Sequence, residues 1–369
     1  MLVDSRLNRL LLTLLLLYLA GCAPPAHSRS RWLVSPPLLK HAGLEIVWDD
    51  QLPIKERENL ARLSLLGDQI HALSSRNYLV ALNRDTAEKI FHDVVAPLGF
   101  TLGQPVLLQD EFLCAIGSQL VEIDSYTGQR LATYDVDYGI VCPPAANRLY
   151  FYLAGSDHRV HVLRRKDGVE LFEVAADDHS AITSVLADDQ RVIFTTDDGS
   201  VVGMAPNRSR RLWQFDAAGP IIGPITREGN SLFFACRNMD LYRVEISDDT
   251  AAELVWKYQL PGLPEQPLRL GRDAVYQYVR SKGVLAVDKQ TGRFLWVLPD
   301  GLELLAEAQH KAYLITDKPT LVVVDNLAGK KLYSVNFSNV DRYVANTADE
   351  KIYVADKFGR IVCIRPVAK

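Results

Sequence analysis

Residues 284–296 read Val-Leu-Ala-Val-Asp-Lys-Gln-Thr-Gly-Arg-Phe-Leu-Trp, and what this stretch repeats decides the fold. An apolar strand ends at Asp288, a residue whose carboxylate accepts from backbone amides two and three positions on. Gly292 then supplies the positive φ that closes a hairpin, and Trp296 follows four residues later. The same code stands at 123–128 (Ile-Asp-Ser-Tyr-Thr-Gly), at 324–329 (Val-Asp-Asn-Leu-Ala-Gly) and at 82–87 (Leu-Asn-Arg-Asp-Thr-Ala). Fainter copies put Arg164, Ala205, Ile246 and Arg365 where the Asp belongs. The eight anchors 83, 124, 164, 205, 246, 288, 325 and 365 are spaced by 41, 40, 41, 41, 42, 37 and 40 residues, so one unit is repeated eight times.

Each unit carries the same local order. An apolar strand such as Lys351-Ile352-Tyr353-Val354 is followed by a polar turn such as Lys357-Phe358-Gly359, a second apolar strand and the Asp turn. Eight residues past the anchor stands an aromatic: Phe91, Phe172, Trp213, Trp296 and Tyr333, with Trp256 displaced by an insertion and Tyr134 taking over from Ala132. Segments such as Gly103-Gln104-Pro105-Val106 and Gly223-Pro224-Ile225 then open the next unit. Four short antiparallel strands in about 40 residues is the arithmetic of a propeller blade. The chain stops before the aromatic of the eighth unit, while Leu44-Glu45-Ile46-Val47-Trp48 has no unit of its own and Trp48 precedes Phe91 by 43 residues. The expectation is an all-β, eight-bladed β-propeller over 44–369, with four-stranded antiparallel blades and the strand at Trp48 completing the last one, which leaves no sheet edge at the join.

Composition agrees. Of 369 residues 48% are apolar and 23% charged, and 15 Tyr, 12 Phe and 5 Trp against 3 Met favour strands over helices. A net charge of −4 gives no case for a nucleic-acid partner.

Upstream of the repeats, Arg6 and Arg9 precede an apolar run over 10–20 that is too short to span a bilayer comfortably and ends in Leu19-Ala20-Gly21-Cys22. That ending resembles the lipobox of bacterial lipoproteins. The resemblance implies a signal peptide over 1–21, cleavage before Cys22, acylation of its thiol (palmitate and related chains) and of the new amino terminus, and a membrane contact through lipid alone. Ala23 follows where Asp would imply retention at the inner membrane, so the expected location is the periplasmic side of the outer membrane. Residues 22–43, rich in Pro and small polar residues, are expected to be a flexible tether.

Asp-x-x-Thr-Gly followed four residues later by Trp, at this period, resembles the PQQ-type, or quinoprotein-like, propeller repeat across roughly 44–369. A lipid-anchored, single-domain, eight-bladed chain of this kind is similar to the BamB family of outer-membrane β-barrel assembly lipoproteins. That resemblance implies a non-enzymatic scaffold docking on a BamA-like component, with no contact residue transferable. A ligand-binding or sensor propeller of another envelope system is the alternative. Quinoprotein dehydrogenases share the repeat but use an adjacent Cys-Cys pair over PQQ; Cys22, Cys114, Cys142, Cys236 and Cys363 are never adjacent, so no cofactor is expected.

No metal is expected either. The cysteines lack C-x-x-C spacing, and His158 and His161 fall on opposite faces of a hairpin unless a bulge intervenes. The acidic pairs at 177–178, 188–189, 197–198 and 248–249 match turns rather than a calcium loop. Cys114 and Cys142 fall on neighbouring blades, either bridged or as separate thiols. One partner surface is suggested: Arg164, Arg165, Lys166, Arg208, Arg210 and Arg211 lie on corresponding turns of adjacent blades, either as a basic patch or as solvated loop charge.

Overall fold

A computed structural model of the protein describes residues 32–177, 179–247 and 250–367, so the signal sequence, Cys22 and Asp178, Asp248 and Asp249 lie outside the described residues. Its strands form eight four-stranded antiparallel sheets. Blades 1 to 7 occupy 60–94, 106–135, 145–175, 182–216, 221–259, 269–298 and 301–336, and blade 8 joins 342–366 to the N-terminal strand β1 (Leu44–Gln51). β1 pairs antiparallel with Arg360–Pro366, with Leu44 opposite Pro366, Gln51 opposite Arg360, and a bulge between Ile46 and Trp48 that sets Trp48 against Cys363. The eight-bladed ring closes through the segment expected from the aromatic register.

The two middle strands of a blade are packed on both sides by neighbouring blades, which is why they read as unbroken apolar runs. Leu321 to Val324 and Ile352 to Ala355 are buried throughout. The outermost strands meet water and alternate, as in Arg130–Asp135. The core therefore lies between blades: one cluster joins Val323 and Phe337 of blade 7 to Ile352, Val362 and Ile364 of blade 8.

One expectation is corrected. The tether does not extend to residue 43, because Leu33, Val34, Leu39 and Ala42 are buried in that same cluster and residues Pro36–His41 form a helix, α1. Pro36 and Pro37 read as linker residues in isolation, yet proline fits the first helical turn, where amides have no intrahelical partner. The compact unit begins at Leu33. Among the described residues no helix is long and apolar enough to cross a membrane.

Strand alternation sorts the connections. Turns from first to second and from third to fourth strand lie on one face of the ring, here the turn face. Second-to-third turns and blade-to-blade crossovers lie on the other, the crossover face.

Candidate functional site

The turn face is built by the Asp turns themselves. Asp288 Oδ1 accepts from the amides of Gln290 (3.1 Å) and Thr291 (2.7 Å) and from the Thr291 hydroxyl (2.7 Å), and Asp124 repeats this with Tyr126 and Thr127. Bonds from Thr127 and Thr291 hold both carboxyls below the ordinary carboxylate range. Each turn is then clasped by the blade before it. Trp256 donates to the carbonyl of Lys289 (3.0 Å), Trp296 to Asn326 (2.9 Å) and Trp48 to Arg84 (3.1 Å), in every case the residue after the anchor. Their rings need glycine beneath: a Cβ at Gly292 would stand 2.7 Å from the Trp256 ring, and one at Gly329 2.4 Å from Trp296 Cβ. Tyr134 lies over Gly168 in the same way, and its hydroxyl points between the Arg165 carbonyl (3.1 Å) and Glu122 (3.0 Å).

Two further seams use donors that the sequence pattern did not single out. Gln69 Nε2 reaches Ser125 O (2.9 Å), where the outer aromatic is the donorless Phe91, and the Tyr152 hydroxyl reaches Pro206 O (2.9 Å), where it is Phe172. Both come from the second strand of the preceding blade, so no fixed offset from the anchor would have found them. Seams 4/5 and 7/8 lack the clasp among the described residues. The Trp213 indole N–H is buried without a partner. Tyr333 is 47% exposed.

The six basic residues divide. Arg165 is spent on the seam, paired with Glu111 (2.5 Å) and Glu122 (3.1 Å) and lying over the Phe151 ring. Burial, then the neighbouring Glu122, raises the Glu111 carboxyl, and Arg165 opposes that rise. Arg164 pairs with Asp167 of its own turn (2.7 Å) and Arg211 with Asp177 (2.5 Å). Lys166, Arg208 and Arg210 form no side-chain ion pair among the described residues. Arg164, Arg165 and Lys166 do share the wall of a recess of about 450 Å³ with Arg148 and Leu149. Half of the six charges are thus neutralised within the fold.

A larger cavity of about 500 Å³ opens on the turn face across blades 5 to 8. Part of its charged wall is already engaged: Lys289 with Glu228 (3.0 Å), Arg227 with Asp188 (2.6 Å) and Asp349 with Arg84, while Arg272, Asp273 and Glu350 line it as well. Glu307 accepts from the Arg272 amide (2.7 Å) and Asn326 (2.6 Å), and burial raises its carboxyl. Such walls recognise shape and polarity on a rigid frame. Inside the ring, the first strands of blades 2 to 5 leave an apolar recess of about 330 Å³ lined by Val106, Leu108, Val185 and Pro224.

Exposed apolar side chains stand on both faces, Tyr126, Leu149 and Leu327 among them on the turn face; the most exposed of the crossover face stand in the loops between blades. Leu98 is 71% exposed and Phe100 54% in the crossover from blade 1 to blade 2, and Val141 is 52% exposed in the next. Clustered exposed apolar side chains of this size mark interaction surfaces. The Leu98 loop is held in shape by Asn77, which donates to Pro97 O (3.0 Å) and Phe100 O (2.8 Å). Cys114 and Cys142 stand as free thiols in separate packing clusters, each pushed up to about 12 by burial.

Residues 117–242 match the family described as "Outer membrane protein assembly factor BamB". No curated protein matches the chain by sequence. Among solved structures, BamB from Moraxella catarrhalis is similar at 15% identity and a TM-score of 0.66, over 87% of this chain and 97% of that one. The computationally designed Ika8 protein is similar at 14% identity and 0.66, over 85% and 98%. The Cps50 (Swd1) propeller domain of Myceliophteria thermophila follows at 11% identity and 0.59, over 86% and 99%. At these identities the structures show the shared fold, and the family match bears on blades 2 to 5.

Proposed function

We propose that the chain is a lipid-anchored, non-enzymatic propeller scaffold of the bacterial envelope that docks other proteins during assembly of outer-membrane β-barrels. The observation that carries this reading is the match of residues 117–242 to the BamB assembly-factor family. The geometry supports it. The turn face commits its donors and carboxylates to holding blades together, which leaves stiffness and shape as what the ring offers a partner. In this reading Cys22, acylated, holds the ring on the periplasmic side of the outer membrane, a BamA-like component is the docking partner, and no PQQ is bound. The crossover loops with Leu98, Phe100 and Val141 are in this reading the docking surface, the Leu98 loop being held in shape by Asn77 for burial against another protein.

The test is purification of the native complex from envelopes in mild detergent. Co-recovery of a barrel-assembly component, lost in a Leu98→Glu/Phe100→Glu variant of unchanged thermal midpoint, is expected. Release of a Cys22→Ser chain from the membrane fraction is expected alongside it. Recovery of the chain without any barrel-assembly component would overturn the role.

A further inference from the structure

Weighed in sequence only against His158, His161 is surrounded in the structure by carboxylates and an aromatic ring on the crossover side of blade 3. Its side chain is 4% exposed. Nδ1 lies 3.1 Å from Glu170 Oε1. Nε2 lies 3.1 Å from both Asp157 oxygens. The Tyr138 ring covers the imidazole at 3.6 Å between centroids, nearly parallel. His158, the partner weighed from sequence, turns away in a left-handed turn (φ 67°) and bonds to His179 O.

Three features distinguish this cluster from ordinary surface acids. First, ring and carboxylates are arranged as around a metal-bound histidine: one nitrogen is hydrogen-bonded to a carboxylate that fixes the tautomer, and the other faces a ligand oxygen. One His161 nitrogen, one Asp157 oxygen and one Glu173 oxygen lie within 4.8 Å of one another. Second, the backbone makes room for this approach. A Cβ at Gly155 would come within 2.2 Å of Asp157 Oδ1 and 2.8 Å of His161 Nε2, so only glycine lets the two groups meet. Third, negative charge is in excess. Glu170, Asp157, Asp137 and Glu173 all act on the Tyr138 hydroxyl, which is buried without a partner. Among the described residues the paired cation nearby is Arg159, on Glu173.

We propose that Asp157, His161 and Glu173 form a binding site for one divalent transition cation of the zinc class, with Glu170 as the outer carboxylate on Nδ1. Imidazole with carboxylates selects this class over calcium or magnesium, which take oxygen ligands. Binding would draw Glu173 from Arg159 and tie the 137–144 crossover, through Tyr138, to blade 3. The ion's role is structural; no reaction step is assigned to it.

The experiment is titration of the untagged full chain with zinc chloride by calorimetry, together with cobalt(II) absorption spectroscopy. One ion per chain is expected, with visible cobalt bands, a thermal midpoint that rises with zinc, and affinity at least tenfold weaker in His161→Gln. Asp157→Asn, an exposed position that spares the fold, is expected to weaken binding similarly, and Glu265→Gln on the same face to leave it unchanged. Absence of a saturable site, or a site of equal affinity in His161→Gln and Asp157→Asn, would overturn the proposal. The first outcome would leave His161 a hydrogen-bonded bridge between Glu170 and Asp157 with no ion, and the second would make the zinc adventitious.

Discussion

Trp296 and Trp213 occupy the same place in their blades, eight residues past the anchor on the outermost strand, and both are 4% exposed. Trp296 donates to the carbonyl of Asn326 in the next blade. Trp213 donates to nothing and leans instead on its own blade, where a Cβ at Gly203 would lie 2.2 Å from the ring. The difference arises in the neighbour. In blade 7 the third strand ends at Asp325 and the turn carbonyl stands ready, whereas in blade 5 it runs on to Ser247, whose carbonyl accepts instead from the Thr250 amide (3.0 Å), and the fourth strand lengthens to Ala251–Gln259. A propeller seam therefore depends on the insertion-free length of the blade that follows as much as on the aromatic that precedes it. At seam 7/8, the other without a clasp, α1 and Leu33, Val34 and Leu39 supply the packing instead.

The largest effect expected from this comparison lies where the clasp is relayed. At seam 1/2, Gln69 holds Ser125 O and its own oxygen lies 3.0 Å from His71 Nε2, which places the imidazole proton there and leaves Nδ1 bare. Burial between Phe91 and Phe112 lowers His71 from 6.5 to about 4. Between these values the unfolded chain binds a proton that the folded chain refuses, so stability is complete above pH 6.5 and falls as pH drops toward 4. The loss approaches about 3 kcal/mol at the acid end. Denaturant titrations at pH 7 and pH 4.5 measure it, and a His71→Gln chain should lose this share of the acid sensitivity. Equal acid sensitivity in both chains would remove His71 from the relay.

A smaller effect separates the two tryptophans directly. Trp296→Phe strips a donor from the Asn326 carbonyl, whereas Trp213→Phe removes an N–H that was buried unpaired, and both lose similar volume. Trp296→Phe is expected to cost about 2 kcal/mol more than Trp213→Phe, read as midpoints in urea at a common slope. Equal costs would mean that the seam is held by ring burial alone.

How far the sequence foretold these seams follows the same physics. Period, strand order, ring closure at Trp48 and the substitution of Tyr134 were legible because they depend on local turn chemistry repeated at constant spacing. Gln69, Tyr152 and α1 were not, since a second-strand donor or a Leu after paired prolines acquires meaning only when another blade is beside it. The engagement of Arg165 was hidden for that reason: it looks solvated in sequence because Glu111 and Glu122 lie 54 and 43 residues away. The surroundings of His161 were missed because its partners come from the next strand (Glu170 and Glu173) and from a turn (Asp157). The aromatic cover of Tyr138, contributed by a crossover, has no periodic signature.

The smallest effect tests the turn rather than the ring above it. Trp48 clasps a turn in which Ala87 sits at φ 62°, the position that is glycine at 128, 168, 292 and 329. An L-residue there bears about 1–2 kcal/mol of left-handed strain, and glycine would relieve it while adding unfolded-state freedom worth roughly 0.4–1 kcal/mol. Ala87→Gly should therefore gain about 0.5–1 kcal/mol, a rise of one or two degrees in thermal midpoint for a chain of this size. The direction carries the information. A loss would mean that the Ala87 methyl group packs in this seam, so that the closing turn, unlike those at Gly128, Gly168, Gly292 and Gly329, is built around a side chain.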